Sequence, residues 1–566
     1  MLNGIGASKG IAIAQALVVK PCAMVFEKVS KLSVEEENKR FTDAIDQFVV
    51  DTKNLMAVMA ENVGEKEAEI LQAHIIMAQD PEIISNVEDE IKSGKTAEAG
   101  VDCVLDMFQN LFRQMGDELM AQRASDLGDI RIRLLQILTD VKPASLSDIA
   151  VKSIIVTHDL TPSDTGKMNK EMVEGVLTEV GGMTSHTAII ARAMEIPAVL
   201  GIDNVCSLVK DGDIIILNSV SGEIIINPTE KELEGAKKVK EELEDAKAAL
   251  EAFKNKPTKT ADGIQVELCA NIGRISDLER VLSNTAEGVG LFRTEFLFMD
   301  RNDVPSEEEQ FKIYKEVAET MQGKPVIIRT LDIGGDKEIP YLDMPKEDNP
   351  FLGYRAVRLC LDRKDLFKPQ LRALLRASAF GKIKIMIPMI SCVDELRQSK
   401  QLIEEMKKEL LEEKIEYDKN IQVGIMIETP AASLISDLLA KECDFFSIGT
   451  NDLTQYTMAV DRGNKKVSYL YQTFNPAVIR SIATIIKNGK KENIMVGMCG
   501  EAAGDPLMIP FLLAAGLDEF SMTASQVLST RKLISTLNKK ELELELDEIL
   551  SLATPEEIKD YLSKLI

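Results

Sequence analysis

The chain changes its hydrophobic rhythm along its length. Apolar residues crowd 11–19, directly after a glycine-rich lead, as in a strand. From Leu32 to Val141 they recur at three- and four-residue spacing with Pro81 as the only proline, which predicts a helical bundle set into something else. Short β-rich runs follow at 153–157, 173–180, 198–201, 213–217 and 223–226, around one helix. The last two read as a hairpin across Asn218 to Gly222. This predicts a small α/β domain, with residues 1–20 supplying one of its strands.

Thr229 opens a highly charged helix that runs to about Lys254. Glu232 is placed to complete a capping box, and Pro257 bars the helix from continuing. A helix so polar on most faces reads as a spacer, or else as a surface helix of the next domain. Beyond Ala261, eight short apolar runs alternate with helical patterns: 266–272, 288–292, 325–328, 383–390, 422–427, 444–448, 494–498 and 519–522. Near-continuous apolar strands alternating with helices predict an eight-stranded parallel barrel. The fold class is therefore multidomain α/β: a small α/β domain (1–20 and 147–228), an inserted helical bundle (30–142), a linker helix (229–258) and a C-terminal (β/α)8 barrel (259–566).

Composition narrows the function. At 566 residues one compact core is excluded, and 45% hydrophobic with 28% charged residues is ordinary folded stock. Lys and Arg number 67 against 92 Asp and Glu, a net charge of -25 that argues against nucleic acid or an anionic membrane as partner. No apolar stretch approaches the ~20 residues that span a bilayer, and no A-x-A type cleavage site follows the first apolar run. Eight scattered cysteines without a CxxC pair suit a reducing cytoplasm. The three histidines, His74, His158 and His186, have no metal-ligand spacing, so a multi-histidine zinc site is not expected.

A parallel barrel gathers its site at the C-terminal strand ends. There the chain carries Arg293 and Glu295, Arg329 and Asp332, Glu428, Asn451 and Asp452, then Cys499 and Glu501. Arginines clamp phosphate and carboxylate, and Glu428 with Asp452 offers hard oxygens suited to Mg2+. The set calls for a small, doubly anionic, phosphorylated substrate, although each residue alone also reads as an ordinary barrel salt bridge. Cys499 reads either as a small buried core residue or as an acid that delivers a proton to an enolate. In the small domain, Gly181 and Gly182 precede a helix whose first turn holds His186, where free backbone N–H groups favour a phosphoryl group. His186 is thus either a phosphorylated nucleophile or a capping or core residue. His74 and His158 read as structural. Gly4, Gly6 and Gly10 miss the dinucleotide spacing, and there is no Walker A string.

Longer motifs carry a resemblance. Gly-Gly-Met-Thr-Ser-His at 181–186, Gly-Leu-Phe-Arg-Thr-Glu-Phe-Leu-Phe-Met at 290–299 and Arg-Thr-Leu-Asp-Ile-Gly-Gly-Asp-Lys at 329–337 are followed by three more. These are Asn-Pro-Phe-Leu-Gly-Tyr-Arg at 349–355, Gly-Thr-Asn-Asp-Leu-Thr-Gln-Tyr at 449–456 and Gly-Met-Cys-Gly-Glu at 497–501. In this order, over nearly the whole chain, they resemble Enzyme I of the bacterial phosphoenolpyruvate-dependent sugar phosphotransferase system. The resemblance implies a phosphoenolpyruvate-protein phosphotransferase activity: the donor's phosphoryl group goes to His186 as a tele-phosphohistidine and then to a histidine of the carrier HPr, with pyruvate released. It implies that Arg293, Arg329, Arg462 and Asn451 bind the donor, with Lys337 and Arg355 on loops around it. Glu428 and Asp452 hold Mg2+, Cys499 is the proton donor, and Thr165 hydrogen-bonds the active imidazole. It implies HPr docking on the helical insertion and a homodimer through the barrel.

Residues 61–90 hold nine acidic residues and one basic one around the apolar 75–77, which reads either as an acidic rim steering a basic partner or as a solvated helix face. Two positions depart from the family. Met183 stands where a basic residue is common in Enzyme I, and a methionine there is similar to pyruvate phosphate dikinase; Lys9 replaces a usual proline. A dikinase-like or phosphoenolpyruvate synthase-like enzyme is therefore the alternative, although no motif in the chain suits a nucleotide-binding region. A non-catalytic scaffold is the alternative from another class. The nitrogen-related branch, with its added N-terminal sensory domain, is not expected, because residue 1 opens the small domain.

Overall fold

The computed structural model describes residues 2–19, 24–62, 65–114, 118–141, 149, 151–165, 168, 171–182, 185–194, 196–299, 301, 303–335, 339–464 and 466–566. It divides into two compact units, Met1–Lys247 and Ala248–Ile566.

The first unit is built on one eight-stranded sheet. Its strands are β1 (Leu2–Asn3), β2 (Ile5–Ser8), β3 (Ile11–Val19), β4 (Ser153–Thr157), β5 (Val173–Thr178), β6 (Ala198–Leu200), β7 (Ile214–Asn218) and β8 (Glu223–Ile226), in the order β1-β8-β7-β3-β4-β5-β6-β2. β3 to β6 run parallel, and β7 lies antiparallel to β3 with Ile13 opposite Ile216. The expected hairpin forms across Asn218 to Gly222, where Gly222 takes φ +79 and donates to Asn218 O at 2.8 Å. The first twenty residues give three strands rather than one. The chain there presses on the turn after β7: a Cβ on Gly6 would lie 1.9 Å from Ser219 O, and the close approach interrupts the ladder. Two short helical segments, Pro162–Thr165 and Val205–Leu208, join the expected helix, His186–Ala193.

The helical stretch is α1 (Val34–Asn62), α2 (Glu65–Ala78), α3 (Pro81–Lys92), α4 (Ala97–Gln114) and α5 (Glu118–Thr139). Pro81 begins α3 instead of breaking a helix: it takes the first helical position, whose N–H has no partner to lose, and Asp80 caps the turn by accepting from Glu82 N. Phe41, Phe48, Val87, Val101, Leu105, Ile130 and Leu134 fill the bundle core. A second core is shared: Leu55, Met59 and Leu71 of α1 and α2 pack with Ile155, Ala198 and Leu200 of the sheet and with Ala188, Ile190 and Met194 of the helix that starts at His186. The bundle thereby covers one sheet face and the face of that helix. The charged helix runs Glu230–Glu251. Glu232 accepts from Thr229 N at 2.8 Å, and Thr229 Oγ1 accepts from Glu232 N at 3.4 Å, which completes its capping box.

All eight apolar runs of the second unit become strands: β9 (Glu267–Ile272), β10 (Gly288–Arg293), β11 (Val326–Arg329), β12 (Ile383–Ile387), β13 (Gln422–Ile427), β14 (Phe445–Ile448), β15 (Met495–Met498) and β16 (Glu519–Met522). They pair in parallel in chain order, and β16 closes on β9. Alternate residues point inward, so Leu291, Ile327, Met386, Met426 and Phe445 plug the barrel, while the outward residues join the core under the helices. A Cβ on Gly424 would meet the Phe445 ring at 2.5 Å, so only glycine leaves room for that plug. Among the described residues no helix is long and apolar enough to cross a membrane.

Candidate active site

At the C-terminal ends of the barrel strands lies a cavity of about 960 Å3. Arg293, Arg329, Arg355, Glu428, Asn451, Asp452, Arg462 and Cys499 all line it. The structure thus brings together every barrel residue singled out from the sequence except Lys337, which lies outside the described residues.

Two arginines are held rigidly. Arg329 donates to Glu295 Oε1 at 2.7 Å and pairs with Asp332 Oδ2 at 3.1 Å. Arg355 reaches Asp332 Oδ1 at 2.9 Å and Asp452 Oδ2 at 3.1 Å and donates to the Tyr456 hydroxyl. Burial alone would lower the pKa of both, but facing carboxylates (Glu295, Asp332 and Glu428 for Arg329; Asp332, Asp452 and Glu428 for Arg355) outweigh it and hold both above the ordinary arginine value. The loop that carries Asp332 sits tightly on Arg355: Gly334 has φ +106, and a Cβ there would lie 2.5 Å from Arg355 Cβ.

The other two arginines are looser. Arg293 is exposed, lies over the Phe296 ring at 5.0 Å and has no carboxylate within salt-bridge distance among the described residues. Arg462 is 3.6 Å from Asp452 Oδ1 and about one-third exposed. Asn451 Oδ1 accepts from Glu501 N at 3.4 Å.

Glu428 is buried and accepts from Met389 N at 2.7 Å. Burial, then the neighbouring Asp452 and Asp332 carboxylates, push it up to about 8. Gly449 makes room for it, since a Cβ there would lie 2.9 Å from Glu428 Oε2. Asp452 Oδ1 has no hydrogen-bond partner among the described residues. No cluster of three or more His, Cys, Asp or Glu side chains is set to enclose a metal among the described residues. Two buried, mutually repelling carboxylates, one with an oxygen that makes no hydrogen bond among the described residues, open to a cavity, nevertheless suit Mg2+, which takes one or two carboxylates and completes its shell with substrate and water oxygens.

Cys499 follows β15 at the cavity wall. Burial pushes its thiol up to about 12, against a smaller opposing pull from Ser447, so it carries its proton at neutral pH. Sequence reasoning passed over Asn271, which lies in β9 beside it: its Nδ2 donates to Cys499 O at 2.9 Å, and its Oδ1 accepts from Ser521 at 2.6 Å. The available signal was a polar residue near the C-terminal end of an apolar run.

His186 lies in the other unit, at the first position of its helix. Ser185 caps that helix by accepting from Ala188 N, and Thr187 ties it to Leu160 O at 3.1 Å. The imidazole is 16% exposed, and its Nδ1 is 3.6 Å from Asp126 Oδ1 of α5. Thr165 ends the short helix Pro162–Thr165, but its side chain lies outside the described residues, as does Met183. His74 is fully buried, whereas His158 is largely exposed and pairs with Glu179 at 2.7 Å.

Three family descriptions match the chain: "PEP-utilising enzyme, N-terminal" over 3–123, "PEP-utilising enzyme, mobile domain" over 149–222 and "PEP-utilising enzyme, PEP-binding domain" over 247–539. Over 561 residues the chain is 47% identical to the phosphoenolpyruvate-protein phosphotransferase of Priestia megaterium, covering 99% of this chain and 98% of that one. The chain belongs to the phosphoenolpyruvate-protein phosphotransferase family. It is 46% identical to members from Listeria innocua over 564 residues and Staphylococcus epidermidis over 567, covering 100% of this chain and 99% of each. The family's mobile-domain match contains His186, and its donor-binding match contains every residue of the cavity named above.

Proposed function

We propose that this enzyme takes the phosphoryl group of phosphoenolpyruvate onto His186 and passes it to a histidine of the carrier protein HPr, releasing pyruvate, as the first step of sugar uptake by the phosphotransferase system. The observation that carries this reading is the barrel-mouth cavity, where four arginines meet four buried carboxylates, Glu295, Asp332, Glu428 and Asp452, and a protonated thiol. A donor with one phosphate and one carboxylate matches that charge pattern.

Arg293, Arg329, Arg462 and Asn451 bind the donor's anionic groups, with Lys337 and Arg355 on loops around it. Glu428 and Asp452 hold Mg2+, which when bound neutralises charge on the phosphoryl and enolate oxygens. His186 Nε2 attacks phosphorus, the P–O bond breaks and its electron pair stays on the enolate oxygen. Cys499 then gives its thiol proton to the methylene carbon, forming pyruvate, and regains a proton from solvent. Because His186 and the cavity belong to different units, the reading requires the histidine to travel between donor and carrier. The reading gives Thr165 the role of hydrogen-bonding the imidazole.

The reading assigns 1–20 and 147–228 to the mobile phosphohistidine domain, 30–142 to HPr docking, 229–258 to a linker and 259–566 to donor binding and homodimer formation, in the cytoplasm. Ile76 supports the docking surface: it stands 64% exposed on α2 within the acidic stretch. The test is phosphopeptide mapping after incubation with phosphoenolpyruvate and Mg2+ alone. An acid-labile phosphate on His186, absent from His186→Ala, is expected. Labelling that survives the substitution, or that needs ATP, refutes the reading.

A further inference from the structure

The mechanism leaves unused a cluster of buried ionisable side chains behind His186. Asp126 Oδ1 lies between two imidazoles, 3.6 Å from His186 Nδ1 and 3.2 Å from His74 Nε2. The opposite nitrogen of His74, Nδ1, faces Asp129 Oδ2 at 3.5 Å, and Asp129 Oδ1 accepts from Ser163 Oγ at 2.6 Å. His74, Asp126 and Asp129 are 0%, 4% and 3% exposed. The chain of contacts leaves the helix of His186, crosses α5 and α2 of the bundle, and returns to the small domain at Ser163. Arg123 lies 3.7 Å from Asp126 Oδ2.

Carboxylates buried this deeply are costly unless they are partnered. His74 hydrogen-bonds Asp126 Oδ1 through Nε2, which fixes the oxygen that looks at His186, while Asp129 faces the other side of the His74 ring without a hydrogen bond to it. With Nδ1 turned to that oxygen, Nε2 is the nitrogen left to carry phosphorus. A phosphorylated imidazole leaves most readily when its second nitrogen keeps a proton, because it then departs as neutral imidazole rather than as an anion. We propose that Asp126, braced by His74, is a positioning residue for the transfer from His186 to the carrier: it orients the ring and keeps the proton on Nδ1 while the phosphoryl group departs from Nε2. In that step the P–Nε2 bond breaks with its electron pair returning to Nε2, a P–N bond forms on the carrier's histidine, and the Nδ1 proton stays. The proposal rests on the phosphotransfer reading and gives the bundle a part beyond docking, since a ring facing Asp126 faces the bundle.

Among the described residues, the groups around the ring are Asp126, Arg123 and Asp129 on α5, His74 on α2, and Asp159, which accepts from the neighbouring Thr187. The test uses the full chain, loaded with phosphoenolpyruvate and freed of donor, in single-turnover transfer to HPr. Asp126→Asn keeps the shape and removes the charge. Its maximal transfer rate should fall at least about tenfold, the size of about one unit of pKa in the charge facing the ring, with the HPr concentration at half-maximal rate within about twofold of the unsubstituted protein. The 15N shift of Nδ1 in the loaded histidine should report a protonated nitrogen in the native chain and a proton lost at lower pH in the variant. An unchanged maximal rate, or a loss confined to the half-saturating concentration, overturns the proposal. So does an unprotonated Nδ1 in the loaded native chain at neutral pH, a measurement that stands even where the variant fails to fold. Failure of the native chain to load would instead refute the phosphotransfer reading.

Discussion

Glu519, at the opposite end of the barrel from the cavity, makes stability depend on pH in a way that one substitution should erase. The side chain points inward from the first residue of β16 into a space kept open by two glycines: a Cβ on Gly290 would lie 2.0 Å from Oε1, and one on Gly497 would lie 2.3 Å from Oε2. Neither oxygen has a hydrogen-bond partner among the described residues. Burial first, then Glu267, push the carboxyl from the ordinary 4.5 up to about 8, with Lys384 pulling back and Asp518 adding to the rise. Below about pH 4.5 the group is protonated in folded and unfolded chains alike, and its contribution is complete. Between 4.5 and about 8 the folded barrel keeps a proton that the unfolded chain has released, so stability falls as pH rises; above 8 the slope vanishes. At about 1.4 kcal/mol per pH unit the loss is on the order of 5 kcal/mol. For a unit of this size that is about 10 °C in midpoint. Calorimetry of the full chain at pH 5, 7 and 9 should show the barrel transition of the native protein falling by roughly that much more than the transition of Glu519→Gln. Parallel curves for the two proteins would show that Glu519 ionises freely and that burial does not hold its proton.

Two further outcomes arise from buried charges. Arg531 is 2% exposed and donates to Thr258 Oγ1, Phe253 O, Thr285 Oγ1 and Thr285 O with no carboxylate among these partners, so Arg531→Met strands two carbonyls and should lower barrel stability by about 2–4 kcal/mol in chemical denaturation. Asp332 orients both Arg329 and Arg355, so Asp332→Asn should raise KM for phosphoenolpyruvate at least about tenfold in a coupled pyruvate assay while the thermal midpoint moves far less.

The barrel was legible because parallel strands are buried on both faces and so read as unbroken apolar runs; each of the eight appears where its run lies. The residues at the cavity were legible for a related reason, since the end of a run marks the end of a strand. Their pairing was not. Asp332 meets Arg329 three residues away but also Arg355 from a later loop, and Tyr456 reaches that same arginine from beyond β14. Sequence spacing encodes none of these meetings. The cluster behind His186 was hidden differently. Asp126 and Asp129 lie one helical turn apart on α5, a spacing that by itself marks nothing, yet the small domain covers that face and turns it into an interior. Glu519 sits in a strand pattern that does not reveal which face the carboxylate takes.

The four arginines of the cavity divide by mobility, and the division bears on how an anion enters. Arg329 and Arg355 are buried and already balanced by Glu295, Asp332 and Asp452, so their positions are set before any ligand arrives and little ordering entropy remains to be lost on binding. A ligand phosphate must share them with carboxylates that repel it. Arg293 and Arg462 are exposed or partly exposed, with no carboxylate or only a distant one among the described residues. They are therefore the cations that gain most from an arriving dianion, and they lose the most side-chain freedom in meeting it. Rigid paired arginines alone would fix geometry with little attraction, and loose ones alone would attract without alignment. On the proposed reading, phosphoryl transfer needs in-line placement together with neutralised oxygens, and the two needs fall to different residues of the cavity.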